Sequence, residues 1–361
     1  MRVLLVGGGT GGHLFPAVSI AEALRDAGIA DIAFAGRGDG LEGRVVPSLG
    51  WRFFAIQALP LRRSLAPAAI WAMLRTVRVA RRILREFAPE VVVATGGYVA
   101  AGVVLAQALQ HGKIVLHEQN AIPGRANRWM ARWVRRVCTA FESTARYLGK
   151  SPCVHTGLPV RKELLKNRVE RHLACEALGL DPSRRVLFVI GGSQGARTLN
   201  EWTLEMLPSL QRAGVQVIHQ VGERNVVEFE KQPQDADYRW FGFMDARTLG
   251  QALSAADLVL SRAGASTLHE IALFGKAAVF VPYPYAYADH QWHNAQELVR
   301  LGGAVGFRQS ELDAQRLLTS LLGLIDDTRK LQRMGEINRR WSKEDAAERV
   351  VQQVMEVAAQ P

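Results

Sequence analysis

The sequence predicts an α/β protein of two similar domains, each a mainly parallel sheet with helices on both faces. Three observations carry this. The 361 residues exceed what one core comfortably organises. Short apolar runs alternate with longer amphipathic ones along the chain, the pattern of strand–helix–strand units. A buried strand that opens onto a glycine turn and a helix occurs twice, at "RVLLVGGGTGGHLFPA" and at "RVLFVIGGSQGAR".

Taken in order, strands are predicted at 2–6, 31–35, 52–56, 90–94, 113–117, 136–139 and 152–155. Helices are predicted near 16–27, 67–87, 98–110 and 123–133, with Pro16 setting a first helical turn. Residues 91–110 carry no charge and have the length of a membrane span. Thr95-Gly96-Gly97 interrupt them where a strand would become a helix, so a buried strand, a glycine turn and a buried helix are expected. In "TGLPVRKELL", Gly157 and Pro159 break the pattern, which places the domain boundary there and gives domains 1–157 and 158–340. The second domain restarts with "RVLFVI", the turn "GGSQGAR" and an amphipathic helix, then continues through "QVIHQVG", "YRWFGF", "LVLSRAG" and "AAVFVPYP". A closing helix, "AAERVVQQVMEVAAQ", falls within 341–361. Ligands of such sheets bind at the carboxyl ends of the strands, here in a cleft between the domains.

Hydrophobic residues make up 48% of the chain and charged ones 22%, which excludes extensive disorder. Met1-Arg2 runs directly into a strand, so no signal peptide is expected. The three cysteines, Cys138, Cys153 and Cys175, suit neither a disulfide framework nor a zinc site and favour a reducing cytoplasm. The net charge of +11 is one-sided: residues 1–158 hold 20 Lys+Arg against 9 Asp+Glu, and residues 159–361 hold 25 of each. Residues 52–85 contain eight arginines and no acid, interleaved with Leu59, Leu61, Leu65, Ile70, Trp71, Met73 and Leu74. A basic, apolar surface suits an anionic membrane face. The alternative is a solvated arginine-rich helix with an apolar core side. Nucleic acid is disfavoured, because no stacking platform or known binding motif accompanies the arginines.

Gly7, Gly9 and Gly12 spell the dinucleotide fingerprint. A dinucleotide site also needs an acid near the end of the second strand, and "FAGRGDG" stands there. Arg37 could hold a 2′-phosphate instead, which makes an NADP oxidoreductase one alternative, but it leaves His13 and the second glycine domain unexplained. Glycine turns before helices recur at 95–97, 191–195 and 264–265, each a place for a phosphate to approach backbone N–H groups. In "SRAGASTLHEIALFGKAAVFVPYP", Ser266 and Thr267 offer donors to a pyrophosphate, and Glu270 can accept from the vicinal hydroxyls of a ribose. Asp289, His290, Gln291 and Asn294 are short polar groups suited to sugar hydroxyls, as are His117, Glu118, Gln119 and Asn120 in the first half. No metal-ligand motif is visible, so no built-in cofactor or divalent cation is expected.

Seven stretches then stand in a telling order: "GGGTGGHLFPA", "TGGYVAAG", "LHEQNAIPGRAN", "TGLPVR", "GGSQGAR", "RAGASTLHE" and "DHQWHNA". Together they resemble the MurG family, peripheral membrane N-acetylglucosaminyltransferases of peptidoglycan synthesis, from residue 2 to about 350. The resemblance implies the GT-B architecture, two Rossmann-like domains facing a cleft. It implies UDP-N-acetylglucosamine as donor, lipid I as acceptor and lipid II as product, through a β-1,4 bond formed with inversion. The family's partners would be the anionic inner-membrane surface, met through residues 59–85, and other cell-wall enzymes.

By that resemblance, Thr10, Gly11 and Gly12 would lie on the donor-sugar side, and Asn120 and Gln291 would hold the sugar. Arg161 and Ser193 would meet the diphosphate, and Met244 would offer backbone groups to the uracil. Ala265, Ser266, Thr267, Leu268, His269 and Glu270 would hold phosphates and ribose. Gly96, Gly97 and Tyr98 would lie toward the acceptor. Leu158 departs from the Asn common in the family and cannot replace its hydrogen bonds. Inversion needs a base for the acceptor hydroxyl and stabilisation of departing UDP. His13 and Glu118 are the two candidates for the base, since an unperturbed imidazole titrates near 6.5. Helix N-termini near 193 and 265, with Arg161, would serve the leaving group. A UDP-N-acetylglucosamine 2-epimerase of the same fold, and a non-catalytic membrane scaffold, are further alternatives.

Overall fold

The computed structural model describes residues 1–56, 67–192, 194–232 and 234–361. They form two compact units, Met1–Arg161 with Lys343–Pro361, and Lys162–Ser342. The boundary therefore falls after Arg161 rather than after residue 157, and the C-terminal segment belongs to the first unit.

The first unit runs β1 (Arg2–Gly7), α1 (Gly11–Asp26), β2 (Asp31–Gly36), α2 (Leu41–Ser48), β3 (Arg52–Ala55), α3 (Pro67–Phe87), β4 (Val91–Gly96), α4 (Tyr98–Ala108), β5 (Lys113–Glu118), α5 (Arg125–Met130), β6 (Arg136–Thr139) and β7 (Cys153–His155). Its strands are all parallel, in the order β3-β2-β1-β4-β5-β6-β7. Successive side chains alternate between two cores. Leu4, Val6, Val92, Ala94, Ile114 and Leu116 pack with α3 and α4. Val3, Leu5, Val91, Val93 and Val115 pack with α1 and the last helix of the chain. Burial on both faces is why these strands read as unbroken apolar runs.

The second unit runs α6 (Lys162–Lys166), α7 (Arg171–Ala177), β8 (Arg185–Ile190), α8 (Arg197–Arg212), β9 (Val215–Gln220), α9 (Val226–Phe229), β10 (Tyr238–Phe241), α10 (Ala246–Ala255), β11 (Leu258–Ser261), α11 (Ala265–Leu273), β12 (Ala277–Phe280), α12 (His290–Val299), β13 (Ala304–Gly306), α13 (Ala314–Ile325) and α14 (Thr328–Trp341). Its parallel strands follow the order β10-β9-β8-β11-β12-β13. The chain ends in α15 (Ala346–Ala359), which buries Val350, Val354 and Val357 completely in the first unit. Each of these side chains contributes about 2 kcal/mol of burial. Gly157 admits the returning segment: its φ is +83°, and a Cβ there would lie 2.7 Å from Lys343.

One local outcome differs from expectation. Helix α1 begins at Gly11, so Pro16 lies inside it rather than at its start, and His13 sits in its first turn. Leu14 N–H bonds Thr10 O at 3.1 Å, which starts the helix directly on the glycine loop. Residues 91–110 resolve into β4, Gly97 and α4, and among the described residues no helix is long and apolar enough to cross a membrane. Strand order reverses at β1/β4 and at β8/β11, and the carboxyl ends there are where such sheets open a crevice.

Candidate active site

In the first unit, the carboxyl ends of β1, β4 and β5 gather His13, Thr95–Tyr98 and the 117–120 run. Thr95 Oγ1 donates to His13 O at 2.8 Å, which ties the first turn of α1 to the end of β4. His13 Nδ1 lies 2.9 Å from Thr95 O and 3.0 Å from Gln119 Oε1. Gly96, at φ +112°, leaves the space the imidazole occupies: a Cβ would approach the ring to 2.9 Å. Gly97, at φ +89°, packs against the first glycine turn, where a Cβ would meet Gly8 O at 2.8 Å. Thr10 and Gly12 are exposed at the mouth of α1, and Gly11 is half-buried.

Two features argue against a dinucleotide in the first glycine turn. Glu42 is 1% exposed, and its carboxylate accepts from Gly9 N–H at 3.1 Å and from Arg37 N–H at 3.0 Å. A pyrophosphate in that turn would have to displace this side chain from the same N–H groups. Arg37, the candidate holder of a 2′-phosphate, instead donates to Asp39 at 2.9 Å and to the Tyr98 hydroxyl at 2.7 Å.

Glu118 is fully buried and accepts from Asn120 N–H at 2.8 Å and Gly124 N–H at 3.2 Å, so its oxygens shape the loop that carries Asn120. Burial pushes its carboxyl up to about 7 against those bonds. Arg161 falls in the first unit, with its guanidinium 4.8 Å above the Phe15 ring of α1. Leu158 is a core residue, 2% exposed.

In the second unit, a cavity of ≈ 450 Å³ opens at the carboxyl ends of β8, β11 and β12. Gly191, Gly192, Gly195 and Thr198 form one wall, Gly264 and Thr267 a second, and Tyr283, Tyr285 and Gln291 a third. Arg262 also lines it, though only 8% exposed. Its guanidinium donates to Val281 O at 2.8 Å, Pro282 O at 3.1 Å and Gln309 Oε1 at 2.8 Å. None of these partners carries a charge. Burial pulls the group down to about 10, so it remains a cation at neutral pH. A fixed positive charge beside the N-termini of α8 and α11 suits an anionic ligand.

The motif residues divide around this cavity. Thr267 and Gln291 line it, and Gln291 Oε1 also accepts from Tyr283 N–H at 2.9 Å. Ala265 and Ser266 open α11, and half-buried Glu270 follows one turn on. The side chains of Leu268 and His269 are 0% and 3% exposed, and the His269 ring packs 4.8 Å from Trp341. They are core residues, so their side chains do not face a phosphate in the cavity. Met244 is buried before α10, whose N-cap Asp245 accepts from Thr248 N–H at 2.7 Å. Ser193 lies outside the described residues. Asp289, His290 and Asn294 hold the walls: Asp289 pairs with Arg308 at 2.9 Å, His290 Nδ1 meets Tyr287 O at 2.9 Å, and Asn294 donates to Ala263 O at 3.1 Å. Among the described residues no group of three His, Cys, Asp or Glu is arranged to hold a metal ion.

Sequence reasoning missed Glu42, Arg262 and the Tyr283–Tyr285 wall. Arg262 had a signal, a basic residue set directly between a buried strand and a glycine turn. Glu42 had none, because its partners lie elsewhere in the chain.

Two parallel-sheet Rossmann-like units, each with a glycine turn where its strand order reverses, have the GT-B architecture. Residues 3–139 match the glycosyltransferase family 28 N-terminal domain, and residues 186–350 match the C-terminal domain of the same family. The chain belongs to glycosyltransferase family 28 and, within it, to the MurG family. It is 38% identical over 356 residues, 95% of each chain, to the UDP-N-acetylglucosamine--N-acetylmuramyl-(pentapeptide) pyrophosphoryl-undecaprenol N-acetylglucosamine transferase of Halothermothrix orenii. The crystal structure of Acinetobacter baumannii MurG superposes with a TM-score of 0.78 at 28% identity, over 98% of this chain and 99% of that one. The UDP-GlcNAc 2-epimerase of Neisseria meningitidis, bound to UDP-GlcNAc, reaches a TM-score of 0.72 at 14% identity over 99% and 100%. That likeness is one of fold alone.

Proposed function

We propose that this glycosyltransferase moves N-acetylglucosamine from UDP-N-acetylglucosamine to the 4-hydroxyl of the muramoyl sugar of lipid I, giving lipid II with inversion. The likeness to the Halothermothrix transferase along nearly the whole chain carries the proposal. The cationic, glycine-walled cavity of the second unit supports it as the donor site. The acceptor oxygen attacks the anomeric carbon as the bond from that carbon to the UDP oxygen breaks. The hydroxyl proton passes to His13. Glu118 is the weaker base, because both its oxygens are committed to the 120–124 loop. The charge on departing UDP is met by Arg262 and the N-termini of α8 and α11, with no resident cation proposed. Arg161, beside the mouth of α1, is proposed to meet a diphosphate. Thr10, Gly12 and Asn120 are proposed to position the transferred sugar.

Helix α3 is the proposed membrane contact, on the cytoplasmic face. Val77, Ala80, Ile83, Leu84 and Phe87 are buried. The opposite face exposes Arg75, Arg78, Arg81, Arg82 and Arg85 with Trp71 and Leu74, the last two 70% and 61% exposed. The rest of the basic segment, residues 57–66, lies outside the described residues.

The test is purified protein with radiolabelled UDP-N-acetylglucosamine and a lipid I analogue. Label should move to lipid, with UDP released only when acceptor is present. His13→Ala should lower kcat by about 100-fold or more with little change in the donor KM. Conversion of the nucleotide sugar without acceptor would favour an epimerase instead.

A further inference from the structure

The nitrogen of His13 that must take the proton is set by residues that do not touch substrate. His117 is fully buried, and its Nε2 lies 3.0 Å from Gly157 O, which can only accept. Desolvation holds the ring neutral, its pKa pushed down to about 4. With the proton on Nε2, His117 Nδ1 is an acceptor. Gln119 Nε2 stands 3.2 Å from that nitrogen, 2.7 Å from Thr95 O and 3.0 Å from His117 O. All three neighbours accept, so this end of the amide is the NH₂. Its other end, Oε1, then faces His13 Nδ1 at 3.0 Å and can only accept. Thr95 O, at 2.9 Å from the same nitrogen, also only accepts. Nδ1 of His13 must therefore carry a hydrogen, and in a neutral ring the lone pair lies on Nε2.

We propose that Gln119, oriented by His117, is a positioning residue that shares the Nδ1 hydrogen of His13 with Thr95 O and so fixes the orientation of the ring, whose tautomer Thr95 O already sets. It fills for this histidine the place that a carboxylate fills in Asp–His pairs, with a neutral acceptor in place of a charged one. The catalytic consequence rests on His13 being the base; the tautomer does not. The relay also explains why the 117–120 run is polar at the end of a buried strand. His117 orients the amide, Glu118 shapes the loop that carries Asn120, and Gln119 holds the imidazole.

Two variants and two readouts test this. Gln119→Leu keeps the volume and removes the amide. Gln119→Glu keeps an oxygen toward Nδ1. Nitrogen NMR of protein labelled in its histidine rings, assigned with His13→Ala, should show Nδ1 of His13 as the N–H nitrogen in the wild type and in Gln119→Glu. In Gln119→Leu the hydrogen should stay on Nδ1, held by Thr95 O alone, with a shifted Nδ1–H resonance, kcat lowered roughly 10-fold and the donor KM within about twofold. Wild-type protein with the hydrogen on Nε2, or Gln119→Leu with an unchanged Nδ1–H resonance and kcat, would overturn the proposal. If His13→Ala keeps its activity while the Nδ1–H resonance of Gln119→Leu shifts as stated, the base assignment fails and the positioning role stands.

Discussion

Glu118 shows how much a single buried carboxyl sets by being surrounded with donors. It spends its oxygens on the backbone of the 120–124 loop, and water is excluded from it. Desolvation outweighs those bonds and raises its pKa from 4.5 to about 7. The sign follows from proton counting. Between pH 4.5 and 7 the unfolded chain has lost this proton and the folded one keeps it, so stability falls as pH rises, by about 1.4 kcal/mol per pH unit. The contribution is complete below the unfolded value and is lost as pH passes the folded one. Urea unfolding of the wild type and of Glu118→Gln at pH 4.5, 6 and 8 should show the wild type losing stability relative to the variant across that range. A constant difference would mean that the loop donors keep the carboxylate ionised. Residues of this kind are the least legible in a sequence. "HEQN" announced polar groups but not that each has a different duty, and Glu42 reaches Gly9 across 33 positions. Periodicity reports burial of apolar faces and is silent on which distant donor a carboxylate will find.

At the scale of elements the sequence said more, because burial on one face is a local pattern. Helix α3 spans Pro67–Phe87, the range its amphipathic pattern predicts, with core residues on one side and arginines on the other. The pattern starts the first helix near residue 16, with Pro16 in its first turn, whereas α1 begins at Gly11, straight after the glycine turn that follows β1. The exposed face of α3 has a consequence that can be measured. A basic side chain near an anionic bilayer contributes roughly 1 kcal/mol. Replacing Arg75, Arg78, Arg81 and Arg82 with Gln should weaken binding to vesicles containing anionic lipid on the order of 100-fold or more, measured by co-sedimentation. Turnover of a soluble acceptor analogue and the melting temperature should stay close to wild type, since none of these side chains enters the core. Unchanged sedimentation would remove α3 from the membrane contact and return it to a solvated helix.

Across the whole molecule, the two units differ in how the chain builds them. The second is one continuous stretch, Lys162–Ser342, whereas the first needs Lys343–Pro361 to finish it. The pattern of "AAERVVQQVMEVAAQ" announced a helix, but periodicity cannot say which sheet a helix covers, and this one covers the sheet of the other half. Its buried valines pack with Val3, Leu5, Val91, Val93 and Val115. Lys113 Nζ also donates to Ala358 O at 2.7 Å, where the last carbonyls of α15 lack helical partners. Removing residues 343–361 therefore uncovers the part of one sheet face that α15 covers beside α1, while leaving the second core intact. Residues 162–342 expressed alone should fold cooperatively and bind UDP, because the cavity and Arg262 lie wholly within them. Residues 1–161 alone should show weak, non-cooperative thermal unfolding by circular dichroism, and adding a 343–361 peptide in trans should sharpen the transition. A 1–161 fragment that melts cooperatively without the peptide would show that α3, α4 and α1 suffice for this sheet. The closing helix would then be an accessory to a core already complete.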